Sequence, residues 1–406
     1  MAINRAALTA ELNGRLKFGS WPHFERDEID AVVGVLKSGR VNYWTGEQGR
    51  LFEKEFAESI GVKYAVAVAN GTLALELALY ALGIGPGDEV IVPCKTFIAT
   101  ASAVVARGAV PVVADIDLVS QNIIAETLEV AVTPRTKAII VVHLAGWPCD
   151  MEPILDLAKA HDLKVIEVCA QAHGAKYRGR PVGSMGDAAA FSFCQDKIMT
   201  TGGEGGMLVT SLEDVWERAW SYKDHGKKYG AVYRSDHPGG YRWVHESFGS
   251  NWRLTEMQSA IGRAALPKVK NWVRIRRQNA VALSECFSSI QALRVEQPSD
   301  GFYHSYYKYY AFVRPSMLKR GWDRDRIMAA IRLRGVPCGT GCCSEIYLEK
   351  AFGGYPRPRG RLKNAKMLGE TSIEFQVHPT LTRDDMRLIC SIVEGVMDKA
   401  CDRRKK

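Results

Sequence analysis

The chain has 406 residues, 47% hydrophobic and 24% charged, an ordinary globular composition long enough for one large domain and a smaller one. Its first 21 residues mix Asn, Arg, Glu and Lys unlike a signal peptide, and no run of about 18 apolar residues occurs, so secretion and membrane spanning are not expected and a cytoplasmic location is. The net charge of +9 lies partly in the tail Arg403–Lys406; without aromatic-interleaved basic stripes it reads first as surface surplus, second as steering of an anionic small substrate, and last as nucleic-acid binding.

Met1 to about Gly19 reads as a helical or irregular lead-in. From about residue 60, strand and helix patterns alternate. Tyr64–Ala69 reads as a strand. Thr72–Leu82 is rich in helix formers and stops at Gly83. Pro86-Gly-Asp is a turn. Glu89–Val92 is a strand, Ala99–Ala106 a helix, and Val110–Ala114, Ala138–Val142 and Lys164–Glu167 continue the strand series. Nearly continuous apolar strands separated by helices predict a mostly parallel sheet covered by helices on both faces. Ligands of such sheets sit beyond the carboxyl ends of the strands.

After about residue 265 the pattern changes. Arg274–Ile290 reads as a long helix, Tyr306–Val313 as an aromatic strand-like run, and Asp323–Arg334 and Arg383–Lys399 as further helices. The expected organisation is a lead-in over 1–20, a large α/β domain over 21–265 and a smaller C-terminal α+β domain over 266–406. The ten cysteines are scattered and read as reduced thiols. Cys342-Cys343 lacks the paired gaps of a zinc site, and no metal is expected.

Asn70-Gly-Thr72 stands between a strand and a helix, where backbone N–H groups bind phosphate and glycine permits close approach. Taken alone, the same turn is common as a purely structural cap. Phe97 follows the next strand. Val165-Ile-Glu-Val-Cys-Ala-Gln-Ala-His-Gly174 ends another, bringing Val168, Gln171 and His173 to one segment. A lone histidine there is more often structural than catalytic.

Phe191-Ser-Phe-Cys-Gln-Asp-Lys197 runs from an apolar strand to one lysine, and Gly202-Gly-Glu-Gly-Gly206 follows. A lysine held this way can lose its proton and attack a carbonyl carbon. Glycine density lets the backbone turn sharply beside it.

Taken in order, these segments resemble the DegT/DnrJ/EryC1/StrS sugar aminotransferases, pyridoxal-phosphate enzymes of fold type I with an aspartate-aminotransferase-like large domain. Asn42–Gly46, His143–Pro148, Gly249–Met257 and Ser344–Tyr347 extend the resemblance from about residue 20 to 400. It implies pyridoxal 5'-phosphate on Lys197 as an imine, with pyridoxamine 5'-phosphate as the intermediate form. It implies phosphate contacts from Gly71, Thr72 and Ser192, ring stacking by Phe97 and a cofactor contact from Gln171. Asn251 would reach the phosphate of a neighbouring subunit in a homodimer with shared sites. The implied reaction moves an amino group, usually from glutamate, onto a keto-sugar nucleotide for polysaccharide or glycoside biosynthesis.

At Val168 the chain departs from that family, which carries an aspartate under the pyridine nitrogen. Valine cannot hold the nitrogen's proton, and Glu167 should point to the opposite face of its strand. Three explanations stand: a weakened variant, another group at the nitrogen, or chemistry that needs no protonated ring. Beside the aminotransferase stand two alternatives. One is a catalytically impaired paralogue that binds a nucleotide sugar or a partner. The other is a related sugar dehydratase, whose known members replace the lysine with histidine.

Overall fold

The computed structural model describes residues 18–233 and 240–402. The expected lead-in falls almost wholly outside the described residues, as does the basic tail from residue 403.

Seven strands form the main sheet: β1 (Tyr64–Val68), β2 (Glu89–Pro93), β3 (Val110–Ala114), β4 (Thr136–Val142), β5 (Lys164–Val168), β8 (Ala188–Ser192) and β9 (Gly206–Thr210). Their spatial order is β1-β9-β8-β5-β4-β2-β3. The five strands from β8 to β3 run parallel, and β9 is antiparallel to both its neighbours. The sheet is therefore mostly parallel, as the alternating pattern predicted.

Both faces are buried, and the strand period of two assigns each side chain to one of them. Val66, Val68, Val90, Val92, Ile140, Ile166, Ala190 and Leu208 pack with the helices Gly71–Ala81, Ala99–Ala106 and Glu213–Lys223. The intervening residues Ala65, Ala67, Ala189, Phe191 and Val209 pack on the other face with the helix Gln48–Ile60. Ile91, Ile139, Val141 and Val165 pack there with the helix Met151–Ala160. This two-sided burial is why the strands read as unbroken apolar runs.

A second, antiparallel sheet has the order β10-β12-β14-β13, from β10 (Leu293–Val295), β12 (Tyr309–Val313), β13 (Cys338–Gly339) and β14 (Ser372–Phe375). Helices Val269–Ser288, Arg324–Arg332 and Arg383–Ala400 cover it. A three-stranded ribbon joins β6 (Lys176–Tyr177) and β7 (Arg180–Pro181) to β11 (Phe302–Tyr303).

Two expectations shift. The long helix starts at Val269 rather than Arg274, because Val273, Arg276, Ala280, Leu283 and Phe287 bury one stripe that carries the helix back over a basic, polar-looking start. The aromatic strand starts at Tyr309 rather than Tyr306, since Tyr306 has φ +49°, a left-handed turn that no strand contains. That turn packs against Gly146 (φ +95°), where an added Cβ would lie 2.5 Å from Ser305 Oγ and 2.9 Å from Tyr306 N. Only glycine fits there.

Candidate active site

The carboxyl ends of β1, β5 and β8 converge on one region. Asn70 caps the helix Gly71–Ala81, its side chain accepting from Leu73 N at 2.9 Å. Ser192 follows Ala188 and Ala190 on the face this helix covers, and Val168 follows Ile166 on the same face. The period of two thus brings Gly71, Val168 and Ser192 to one side. A Cβ on Gly71 would sit 2.6 Å from Ser192 Cβ, so this close approach excludes any side chain at 71. Thr72 is exposed in the first helical turn. Phe97, between β2 and its helix, is 66% exposed, an aromatic face free for stacking.

Lys197 sits in the loop between β8 and β9. The loop closes on itself: Phe193 N donates to Gly205 O at 2.8 Å, Gln195 N to Gly203 O at 2.9 Å, and Lys197 N to Cys194 O at 3.0 Å. Trp21 Nε1 donates to the Lys197 carbonyl at 2.7 Å. The Lys197 side chain is 17% exposed, with Nζ 3.2 Å from Asp196 Oδ1 and 3.5 Å from Tyr307 Oη. Burial works against the Asp196 charge, but Lys197 and the Tyr307 hydroxyl outweigh it and hold the carboxyl below its usual range.

Gln171 is buried: its Oε1 accepts from Ala145 N at 2.8 Å and its Nε2 donates to Cys342 Sγ at 3.2 Å. His173 is also buried, packed on Phe191 and Phe193, and neither ring nitrogen has a hydrogen-bond partner. Burial, reinforced by the Lys197 and Arg276 charges, pushes it down to about 3, so it is neutral packing. Asn251 is exposed, its backbone bridged to Asp224.

Glu167 occupies the face opposite Val168, as strand geometry requires. Its carboxylate meets His143 Nε2 at 3.0 Å and accepts from Gly183 N, Met185 N and Gly186 N at 2.7–2.8 Å. Both oxygens are engaged. His143 Nδ1 accepts from Cys149 N at 2.9 Å, so in the cluster of His143, Glu167 and Cys169 both ring nitrogens and both carboxylate oxygens are engaged within the protein.

Sequence reasoning missed Asp196, Tyr307, Cys342 and Lys95. Asp196 was legible as the neighbour of Lys197; nothing local marks the others. Lys95 is fully buried, its Nζ donating to Gln121 Oε1 at 2.7 Å and Ser372 Oγ at 3.2 Å, and burial pushes it down to about 8.

The sequence matches the profile of the DegT/DnrJ/EryC1/StrS aminotransferase family over residues 22–394. This chain belongs to that family. The aminotransferase is 45% identical to the GDP-perosamine synthase of Caulobacter vibrioides over 260 residues, 63% of this chain and 66% of that protein. It is 36% identical to the GDP-perosamine synthase of Escherichia coli O157:H7, covering 88% of this chain and 93% of that one. The crystal structure of an aminotransferase from Psychrobacter cryohalolentis superposes with a TM-score of 0.93 at 52% identity, covering 94% of this chain and 99% of that chain. The shared architecture is that of pyridoxal-phosphate aminotransferases. The close approach at Gly71 and Ser192, the capped helix start and the partly exposed Lys197 amine fit such a cofactor's phosphate and carbonyl ends; Val168 offers nothing to its ring nitrogen.

Proposed function

We propose that this aminotransferase transfers an amino group, with glutamate as donor, to a keto-sugar linked to a nucleotide, in the synthesis of an amino sugar for polysaccharide or glycoside. The observation that carries the reading is the Lys197 amine, held by Asp196 and Tyr307 in the loop that leaves β8 after Ser192, whose Cβ meets Gly71. The relatives named GDP-perosamine synthase support the substrate class. Histidine, the dehydratase residue, does not stand at 197, so that alternative is not favoured.

Bound pyridoxal 5'-phosphate supplies an electron sink for breaking the bond between carbon and hydrogen beside the transferred nitrogen. Lys197 would hold the cofactor through its amine and, once freed, would serve as the base that moves a proton. Gly71, Thr72 and Ser192 would receive the phosphate, with the helix start behind them. Phe97 would offer its face to the ring, Gln171 would lie against it, and Val168 would pack at or near the ring edge.

We also propose a homodimer in which Asn251 completes the partner's phosphate site. Two features support this. Ile29, Val33 and Leu36 form an exposed apolar stripe on the helix Arg26–Ser38, and Trp243 and Phe248, which lead into Asn251, are exposed. We place the boundary between the two bodies near residue 266, where the chain leaves the helix Glu256–Ala265 for the helices covering the second sheet. All ten cysteines are free and no helix among the described residues is long and apolar enough to cross a membrane; these fit the cytoplasm.

The test is borohydride reduction of the holoenzyme followed by peptide mapping, with an amino-transfer assay across keto-sugar nucleotides. The expected adduct is on Lys197, with turnover on at least one such substrate. An adduct on another lysine overturns the assignment, and no turnover with any keto-sugar nucleotide overturns the substrate class.

A further inference from the structure

Consecutive residues of a strand point apart, but Asp196 and Lys197 lie in a turn closed by Lys197 N donating to Cys194 O at 3.0 Å. Their side chains converge instead, to 3.2 Å between Asp196 Oδ1 and Lys197 Nζ. The second Asp196 oxygen receives the Tyr307 hydroxyl in a short hydrogen bond. That hydroxyl has one proton, and it is spent on Asp196. Toward Lys197 Nζ, 3.5 Å away, the Tyr307 oxygen therefore presents lone pairs. The lysine nitrogen thus faces two acceptors.

Tyr307 is placed from far along the chain. Its backbone N donates to Ala145 O at 2.8 Å, and its carbonyl accepts from Arg276 Nη1 at 3.2 Å. Burial, with the Asp196 charge, pushes its phenol well up, so it stays a neutral donor. The other charged or titratable groups acting here come from several elements. His173 follows β5, Arg276 lies on the long helix and Lys308 precedes β12. Cys342 lies in the loop after β13, and β14 carries Glu374. His173 is neutral at physiological pH, and the Glu374 carboxylate is paired with Lys308 at 3.5 Å, so the carboxylate that meets Lys197 is that of Asp196.

We propose that Asp196 is the counter-ion of the Lys197 nitrogen and that Tyr307 is the positioning residue that aims it. The negative charge of this site then stands at the lysine rather than at the strand position held by Val168. The inference rests on the reading of Lys197 as the cofactor lysine.

Its test begins with that reading: borohydride labelling of the wild-type holoenzyme must map to Lys197, and a label elsewhere sinks the reading itself. With that established, the visible absorbance of the bound cofactor is titrated with pH in wild type, Asp196→Asn and Tyr307→Phe. The absorbance reports the proton on the lysine-linked nitrogen. Losing the carboxylate should lower the pH midpoint by about one unit or more, since a nearby opposite charge is worth about 1–3 units. Tyr307→Phe should lower it by less, in the same direction. A midpoint that stays or rises in Asp196→Asn, with the label still on Lys197, overturns the proposal. Should Asp196→Asn fail to fold, an unshifted midpoint in Tyr307→Phe overturns it instead, and a lowered one upholds it.

Discussion

Gly71 and Ser192 approach so closely that a Cβ at position 71 would lie 2.6 Å from the Cβ of Ser192. The contact joins the start of a buried helix to the end of β8, and it leaves the first helical N–H groups beside the serine hydroxyl. Gly71→Ala therefore forces the helix start away from the strand. Overpacking of this kind costs about 1–3 kcal/mol. Spectroscopic titration of apoenzyme with pyridoxal 5'-phosphate should show affinity about fivefold to a hundredfold weaker, one decade per 1.4 kcal/mol. Wild-type affinity in this variant would show that the close approach does not shape the phosphate site.

Val168 packs on the helix-covered face with Val142 and Ala190 as strand neighbours. Val168→Asp puts a half-buried carboxylate there, with no cation to pair it in the absence of cofactor. Thermal denaturation should find the apoenzyme destabilised and the gain on adding cofactor larger than in wild type. Stopped-flow spectra should show both amino-transfer half-reactions faster, by about tenfold per 1.4 kcal/mol recovered at the ring nitrogen. Unchanged half-reactions with cofactor fully bound would mean that the nitrogen has another partner or does not limit the rate.

Lys197→Ala should abolish turnover, and Asn251→Ala should weaken it, each alone. Mixed dimers of the two variants contain one site that carries neither lesion if Asn251 serves the partner. Activity rising above both parents on mixing is the expected outcome. Verified heterodimers with no rescue would remove the shared-site reading.

Glu167 accepts three backbone N–H bonds besides its contact with His143. Burial opposes its charge, yet the His143 contact and the amides outweigh it and hold the carboxyl below its reference value of 4.5. A depressed carboxyl stabilises the fold fully above the unfolded value, and that stability is lost as pH falls through the lower folded value. Glu167→Ala leaves one buried and two half-buried donors without their partner and should cost about 1–3 kcal/mol. Denaturant melts at pH 7 and at pH 3 should show the difference between variant and wild type shrinking at the lower pH. A constant difference would assign the loss to packing alone.

Much of the fold was legible because its signals are local. Strands buried on both faces must be apolar throughout, so β2, β4 and β8 announce themselves, and helix-forming runs between them imply parallel crossovers. The same period of two by itself places Glu167 and Val168 on opposite faces. As candidates, Gly71 at the helix start after β1, Ser192 at the end of β8 and Lys197 in the loop that follows were legible too.

Tertiary structure alone decided the rest. Tyr307 lies 110 positions from Lys197, and no periodicity records that a left-handed turn at Tyr306 packs on Gly146 and sends the next phenol to Asp196. His173 reads in sequence as more often structural than catalytic, and burial against Phe191 and Phe193 makes it neutral filling. Nothing local in the sequence marks Lys95, yet the second sheet closes over it with Ser372 and Tyr310. Local pattern determines which face a side chain takes, because backbone geometry repeats every few residues. Which distant group that face meets depends on how separate elements pack, and the charge facing the lysine was settled there.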